Sequence, residues 1–243
     1  MTANVGGMAP VPQRPRSRNG AGLPAVTADQ IVDAAVRLTM GSGLENWTLR
    51  QLAAEIEASP AVVYHHIGDR EAVVALVIER VTDEIATPAE SLPWREWFTR
   101  LLVDYRLVLR RYPGIAFRVS RFGPPLTSSA TTIDLGVRLL QEAGFGAESV
   151  LAYNVLMTTA CQYIAMEDDP PRLDSGGFRS PNTWRYLDYR GRSDMPGLAA
   201  VGAFVAELAS GQARIAEFHD EVFTYAIQRC LDGLEHRLAN LAR

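Results

Sequence analysis

Cysteine is scarce in this sequence, with only Cys161 and Cys230 in 243 residues. Two thiols cannot build the disulfide framework of a small secreted domain, and they fit a reducing compartment. No apolar run is long enough to cross a bilayer, and the N-terminus lacks the apolar segment of a signal peptide. No membrane partner is expected, and the cytoplasm is the expected location. Gly-rich phosphate loops, nucleophile elbows and face-sharing HExxH pairs are also missing. His65, His66 and Asp69 lie close together, but adjacent histidines leave a helix in different directions. His219 and His236 stand far apart in one helical segment. No catalytic residue, metal site or cofactor is expected, and neither is an enzyme. Segments of strand period and internal repeats are absent too, which points to an all-α fold.

What is present is an ordinary globular composition, 47% hydrophobic and 21% charged, at a length for one sizeable domain or two modest ones. Residues 48–71, TLRQLAAEIEASPAVVYHHIGDRE, carry the clearest pattern. Thr48 and Gln51 form a capping box, with Trp47 and Leu52 as its hydrophobic staple. Leu49, Leu52, Ala53 and Ile56 share one helical face. Ser59 and Pro60 restart a helix as N-cap and first residue. Val63 and Ile67 anchor this short second helix inward, which leaves Tyr64, His65 and His66 to face elsewhere. Upstream, Thr27 and Gln30 make another capping box, stapled by Val26 and Ile31. Ile31, Ala34, Ala35 and Leu38 then form a buried stripe ending near Gly41 and Gly43. The result is a three-helix unit with a helix-turn-helix at its end.

These residues resemble the N-terminal domain of the TetR family of bacterial transcriptional repressors over about residues 27–85. The family pattern of Thr, Leu-Ala, Ser, Tyr-x-His and a basic residue opening the next helix is matched by Thr48, Leu52, Ala53, Ser59, Tyr64, His66 and Arg70. Two departures occur. Glu57 stands in the turn where the family usually has Gly, and Ile67 replaces the aromatic after the His. A left-handed Glu57 costs roughly 1 kcal/mol, which a packed domain absorbs. The resemblance implies double-stranded operator DNA as partner. Thr48, Tyr64, His66 and Arg70 would meet the phosphate backbone, and Arg50, Pro60, Ala61, Val62 and His65 would face base edges. A mere surface role for Tyr64 and the His pair is the plainer alternative.

Charge does not add to this reading. The net charge is −4, and the first 80 residues hold seven Arg and no Lys against eight acids. Placement matters more than the sum. Arg14, Arg16 and Arg18 sit in a Pro- and Gly-rich segment, residues 1–26, with no acid before Asp29. It reads either as a solvated tail or as an arm that enters the minor groove.

Residues 27–73 are thus expected to be a DNA-binding domain, and 74–243 a helical effector-binding and dimerisation domain. Asp69 caps a connecting helix with Val74, Val77, Val81 and Ile85 on one stripe, and Pro88 and Pro93 mark the boundary. Further helices are expected over 94–111, 127–143, 147–166, 197–210 and 213–241. In the last, Phe223, Ile227, Cys230, Leu234, Leu238 and Leu241 form a long apolar edge. With the TetR-like four-helix dimer interface in view, 147–166 and 213–241 are the expected homodimer helices, with simple core packing as the alternative.

An effector site is fainter. Asn154, Thr158 and Gln162 form a polar line at i, i+4, i+8, with Tyr153, Met157 and Cys161 beside them. A bound small molecule would supply partners for such a line, as would neighbouring helices or a second subunit. Phe98 and Tyr105 are candidate apolar walls with Phe117 and Phe122, although core packing suits all four. Residues 168–195 form a long irregular segment whose Trp184, Tyr186 and Tyr189 suit a lid. The function expected is a repressor released from a palindromic operator by a small apolar or aromatic ligand. A ligand-independent or protein-controlled regulator, or an activator, is the alternative, and oxidant sensing by the two thiols is a lesser one.

Overall fold

The computed structural model describes residues 25–168 and 183–242. Among these it is all-helical, with no strand. Both expected capping boxes form. Thr27 Oγ1 accepts from Gln30 N at 3.2 Å, and Thr48 Oγ1 from Gln51 N at 3.2 Å, with each Gln side chain returning to the cap backbone. They start α1 (Ala28–Ser42) and α2 (Leu49–Glu55). Val26, Ile31, Trp47 and Leu52 are all buried, as staples require. Glu57 takes φ 51, the left-handed turn anticipated for it. Pro60 opens α3 (Pro60–His66), but Ser59 makes no side-chain cap bond although its backbone is extended.

Asp69 Oδ1 accepts from Ala72 N at 2.9 Å and starts α4 (Arg70–Thr82). Then follow α5 (Trp94–Leu109), α6 (Ile115–Phe122), α7 (Leu126–Leu140), α8 (Ser149–Glu167), α9 (Pro196–Leu208) and α10 (Gln212–Leu241). The sequence reading did not anticipate α6. It begins at Gly114, whose φ of 95 suits glycine, and ends before Gly123 and two prolines. A short 3-10 stretch, Thr183–Tyr189, lies inside the segment expected to be irregular.

The α1–α3 unit packs on α4, and α4 leads into a bundle in which α8 is flanked by α5, α6, α7 and α10. One apolar core runs from Val26 and Ile31 through Trp97 and Leu101 to Leu156 and Leu231. Close approach of α7 depends on Gly136, where a Cβ would stand 2.9 Å from the Tyr153 ring and 3.0 Å from the Trp97 ring. Val205, Leu208 and Ile215 are buried but stand apart from the main core, where α9 rests on residues 183–189 and on α10.

Two arginines tie elements together from within. Arg106 on α5 pairs with Glu167 on α8 through Nε at 2.6 Å and Nη2 at 3.2 Å, and Nη2 also reaches Asp220 on α10 at 2.6 Å. Arg70 donates Nη2 to the Leu44 carbonyl at 2.6 Å and Nε to the Trp47 carbonyl at 3.2 Å, and lies 4.8 Å over the Trp47 ring.

The apolar edge expected to serve dimerisation is used differently along its length. Phe223 and Ile227 are buried in this chain's own core, Cys230, Leu234 and Leu238 pack against that core, and Leu241 is exposed. From Phe223 to Leu238 the stripe holds α10 to the bundle. Besides Leu241, α8 and α10 leave Val150, Leu151, Val155, Met166 and Tyr225 exposed.

Candidate nucleic-acid interface and ligand cavity

The seven residues of α3 divide cleanly by exposure. Val63 is buried, Val62 and the following Ile67 are half-buried, and Pro60, Ala61, Tyr64, His65 and His66 are exposed. Val63, with Val62 partly packed against the core, fixes the helix roll, so Pro60, Ala61, Tyr64, His65 and His66 stand on the outer surface. Tyr64 is 56% exposed, and the His65 and His66 rings meet edge to face at 5.5 Å. An exposed aromatic on so short a helix buries little, which makes packing a poor reason for its presence.

At the N-terminus of the neighbouring α2, Thr48 is exposed, with its hydroxyl 2.9 Å from Gln51 Oε1 in the cap. Arg50 is exposed and forms no ion pair or hydrogen bond among the described residues. Most arginines of the bundle are paired, so its freedom distinguishes it. Arg70, expected to meet the phosphate backbone, is held by contacts within the chain. Its guanidinium is spent on two main-chain carbonyls, on the Trp47 ring and on Glu45 at 3.4 Å. Buried carbonyls of the 43–47 loop need a donor, and Arg70 is the group within reach. It positions the loop before α2.

A cavity of about 240 Å³ lies between α5, α6 and α8. Tyr105 comes from α5, and Tyr153, Asn154, Met157, Thr158 and Cys161 from α8. Val119, Ser120 and Arg121 of α6 close it, with Gly123 and Pro124 at the rim. Five of the seven residues expected from sequence are therefore brought together. Phe98 is not among them. It is fully buried behind the wall, edge-on to Trp97 at 4.9 Å and Tyr153 at 5.9 Å. Gln162 is exposed beyond the cavity, 3.5 Å from Ser120 Oγ. Phe117 and Phe122 are 50% and 69% exposed, neither core nor lining, because α6 turns its opposite face inward.

The lid expectation also changes. Residues 169–182 lie outside the described residues, as does the Trp184 side chain. Tyr186 and Tyr189 line no part of the cavity and belong to the stretch resting on α9, where Gly202 would bring a Cβ to 2.4 Å from the Tyr186 carbonyl. The α6 contribution was missed because eight residues between two breaks show too few helical repeats to read.

Burial sets the chemistry of the cavity floor. It pushes the Cys161 thiol up to about 12, and the Tyr105 and Tyr153 phenols well above their ordinary range. All three are neutral at physiological pH. Among the described residues no group of three His, Cys, Asp or Glu could hold a metal, and no helix is long and apolar enough to cross a membrane.

The cavity and the α1–α3 unit share α6. Pro113, just before it, accepts from Leu44 N at 2.7 Å, and Arg118 pairs with Glu71 on α4 and lies 3.7 Å from Glu45. The same short helix thus touches the cavity with Val119–Arg121 and the 44–45 loop with its other side.

Residues 31–77 match the family described as "Bacterial regulatory proteins, tetR family". An HTH-type transcriptional regulator of Saccharopolyspora erythraea is 27% identical over 69% of this chain and 66% of its own, so the chain spans just under two thirds of that relative. The HTH-type transcriptional repressor DrrR1 of Streptomyces coeruleorubidus is 28% identical over 87% of this chain and 78% of its own. The fold matches that of Streptomyces coelicolor ActR, solved in complex with actinorhodin, with TM-score 0.65, 21% identity and coverage of 86% of this chain and 96% of that one. These relatives are regulators, not enzymes.

Proposed function

We infer that this chain, a DNA-binding transcriptional regulator of the TetR family, acts as a homodimeric repressor. It would hold a palindromic operator and release it when a small aromatic molecule fills the α5–α6–α8 cavity. The observation that carries this reading is the outer face of α3, where Pro60, Ala61, Tyr64, His65 and His66 are all presented while Val63 anchors the helix. Arg50 stands free beside it. On this reading Pro60, Ala61, Val62 and His65 meet base edges with Arg50, and Thr48, Tyr64 and His66 meet phosphates. Arg70 acts indirectly, by holding the loop before α2.

Residues 27–73 form the DNA-binding unit and 74–243 the effector and dimer part. Residues 1–24 of the proposed arm lie outside the described residues. The exposed apolar groups of α8 and α10 support pairing of two copies through those helices. Paired copies place two α3 helices about one DNA turn, ~34–36 Å, apart. The cytoplasm is the matching location. Release follows if the filled cavity favours another position of α6, since that helix also holds the 44–45 loop. DrrR1 is named a repressor, which supports repression over activation.

Selection of bound duplexes from a random pool tests this directly. A two-fold symmetric consensus is expected, and a pool that yields no enriched sequence contradicts it.

A further inference from the structure

The cavity between α5, α6 and α8 carries charge of one sign only. No Asp or Glu lines it, and its single ionised group is the Arg121 guanidinium. Arg121 is exposed and has no ion pair among the described residues, while Arg118 on the same helix, Arg106 on α5 and Arg138 on α7 each hold carboxylates. Its guanidinium lies 5.7 Å from the centre of the Phe122 ring.

The opposite end is neutral and aromatic, with polar groups left over. Tyr105 is 4% exposed, and its hydroxyl has no hydrogen-bond partner. Yet no buried polar side-chain atom among the described residues is unsatisfied, so that oxygen opens onto the cavity. The side chains of Tyr153, Asn154 and Thr158 likewise make no hydrogen bond there. Unclaimed donors around an apolar space orient a ligand, and an unpaired cation at the rim selects its charge.

We propose that the effector is an aromatic acid, its ring system between Tyr105, Tyr153 and Met157 and its carboxylate on Arg121. The inference rests on reading this cavity as the effector site. A cationic ligand finds no carboxylate in the wall and faces Arg121, so it is disfavoured. A neutral one leaves the guanidinium without a counter-charge. Burial keeps Tyr105, Tyr153 and Cys161 protonated, so the floor offers donors without repelling an acid.

The test is calorimetric titration of the full chain with 2-naphthoate, 2-naphthamide and 2-naphthylmethylammonium. Four proteins are compared: the natural sequence, Arg121→Gln, Arg121→Met, and Met157→Trp, which fills the cavity. Naphthoate is expected to bind roughly tenfold or more tightly than the amide, with the ammonium weakest. Arg121→Gln should erase that preference and leave amide affinity nearly unchanged, and Met157→Trp should weaken all three. Arg121→Met repeats the charge removal at the same exposed position. If the amide or ammonium equals naphthoate, or the preference survives in Arg121→Gln, the acid assignment is overturned, and weakening by Met157→Trp keeps the cavity reading alone. If no probe binds, or Met157→Trp changes nothing, the cavity reading falls and the assignment falls with it.

Discussion

Removing the Arg106 guanidinium should damage this fold more than removing either acid it holds. The Arg106 side chain is 11% exposed and Glu167 is 10% exposed, while Asp220 is 62% exposed. Arg106→Met leaves the Glu167 carboxylate nine-tenths buried with no cation beside it. Breaking a buried pair from one side costs about 3–5 kcal/mol. For a chain of this size, at ~2–4 °C per kcal/mol, that is a fall of roughly 6–20 °C in melting temperature. Glu167→Gln costs less, because Arg106 keeps Asp220 at 2.6 Å and its stacking 4.9 Å from the Phe223 ring. The double variant Arg106→Met/Glu167→Leu should recover most of the loss, since no charge is then stranded. Melting followed by circular dichroism at one fixed protein concentration reads all four proteins. A single-variant loss below about 1 kcal/mol, or a double variant as unstable as Arg106→Met, would refute the reasoning.

Three further outcomes are expected. Arg50→Ala should narrow the affinity gap between a selected duplex and a random one by about 1–3 kcal/mol, whereas equal losses on both would set aside its base-reading role. Gly114→Ala should destabilise by about 1–2 kcal/mol in urea titration, because its φ of 95 disfavours a side chain and its Cβ would stand 3.1 Å from Leu44 Cβ. An unchanged midpoint contradicts that. Burial lifts the Cys161 thiol from 9.0 to about 12, so the unfolded chain loses that proton first. Its contribution is intact below pH 9.0 and declines as pH rises towards 12, and Cys161→Val should show a shallower fall in stability just above pH 9. An identical slope counts against it.

Local signals in the sequence carried the three-helix unit almost entirely. Capping boxes, staples and the Ser-Pro restart act over four or five residues, so Thr27, Thr48 and Pro60 mark the starts of α1–α3 without tertiary knowledge. Glu57 shows the same, its left-handed turn following from position in the motif. The bundle was less legible where roles depend on which neighbour arrives. The α10 stripe at Phe223 and Ile227 was visible as apolar, but its partner turned out to be the chain's own core. Arg70 was visible as a cation, but only the fold brings the Leu44 and Trp47 carbonyls beneath it. The polar line on α8 located the cavity through Asn154 and Thr158, whereas Arg121 came from α6, which has too few residues to show a period.

The most direct measurement is crosslinking from α3 itself. Ala61→Cys, labelled with a photoreactive azidophenacyl group and irradiated with a selected duplex, should attach to bases within each half-site. The same label at Ser210→Cys, exposed beside α9, should not attach. Crosslinks absent from position 61, or equally strong from position 210, would contradict the placement of α3 against DNA.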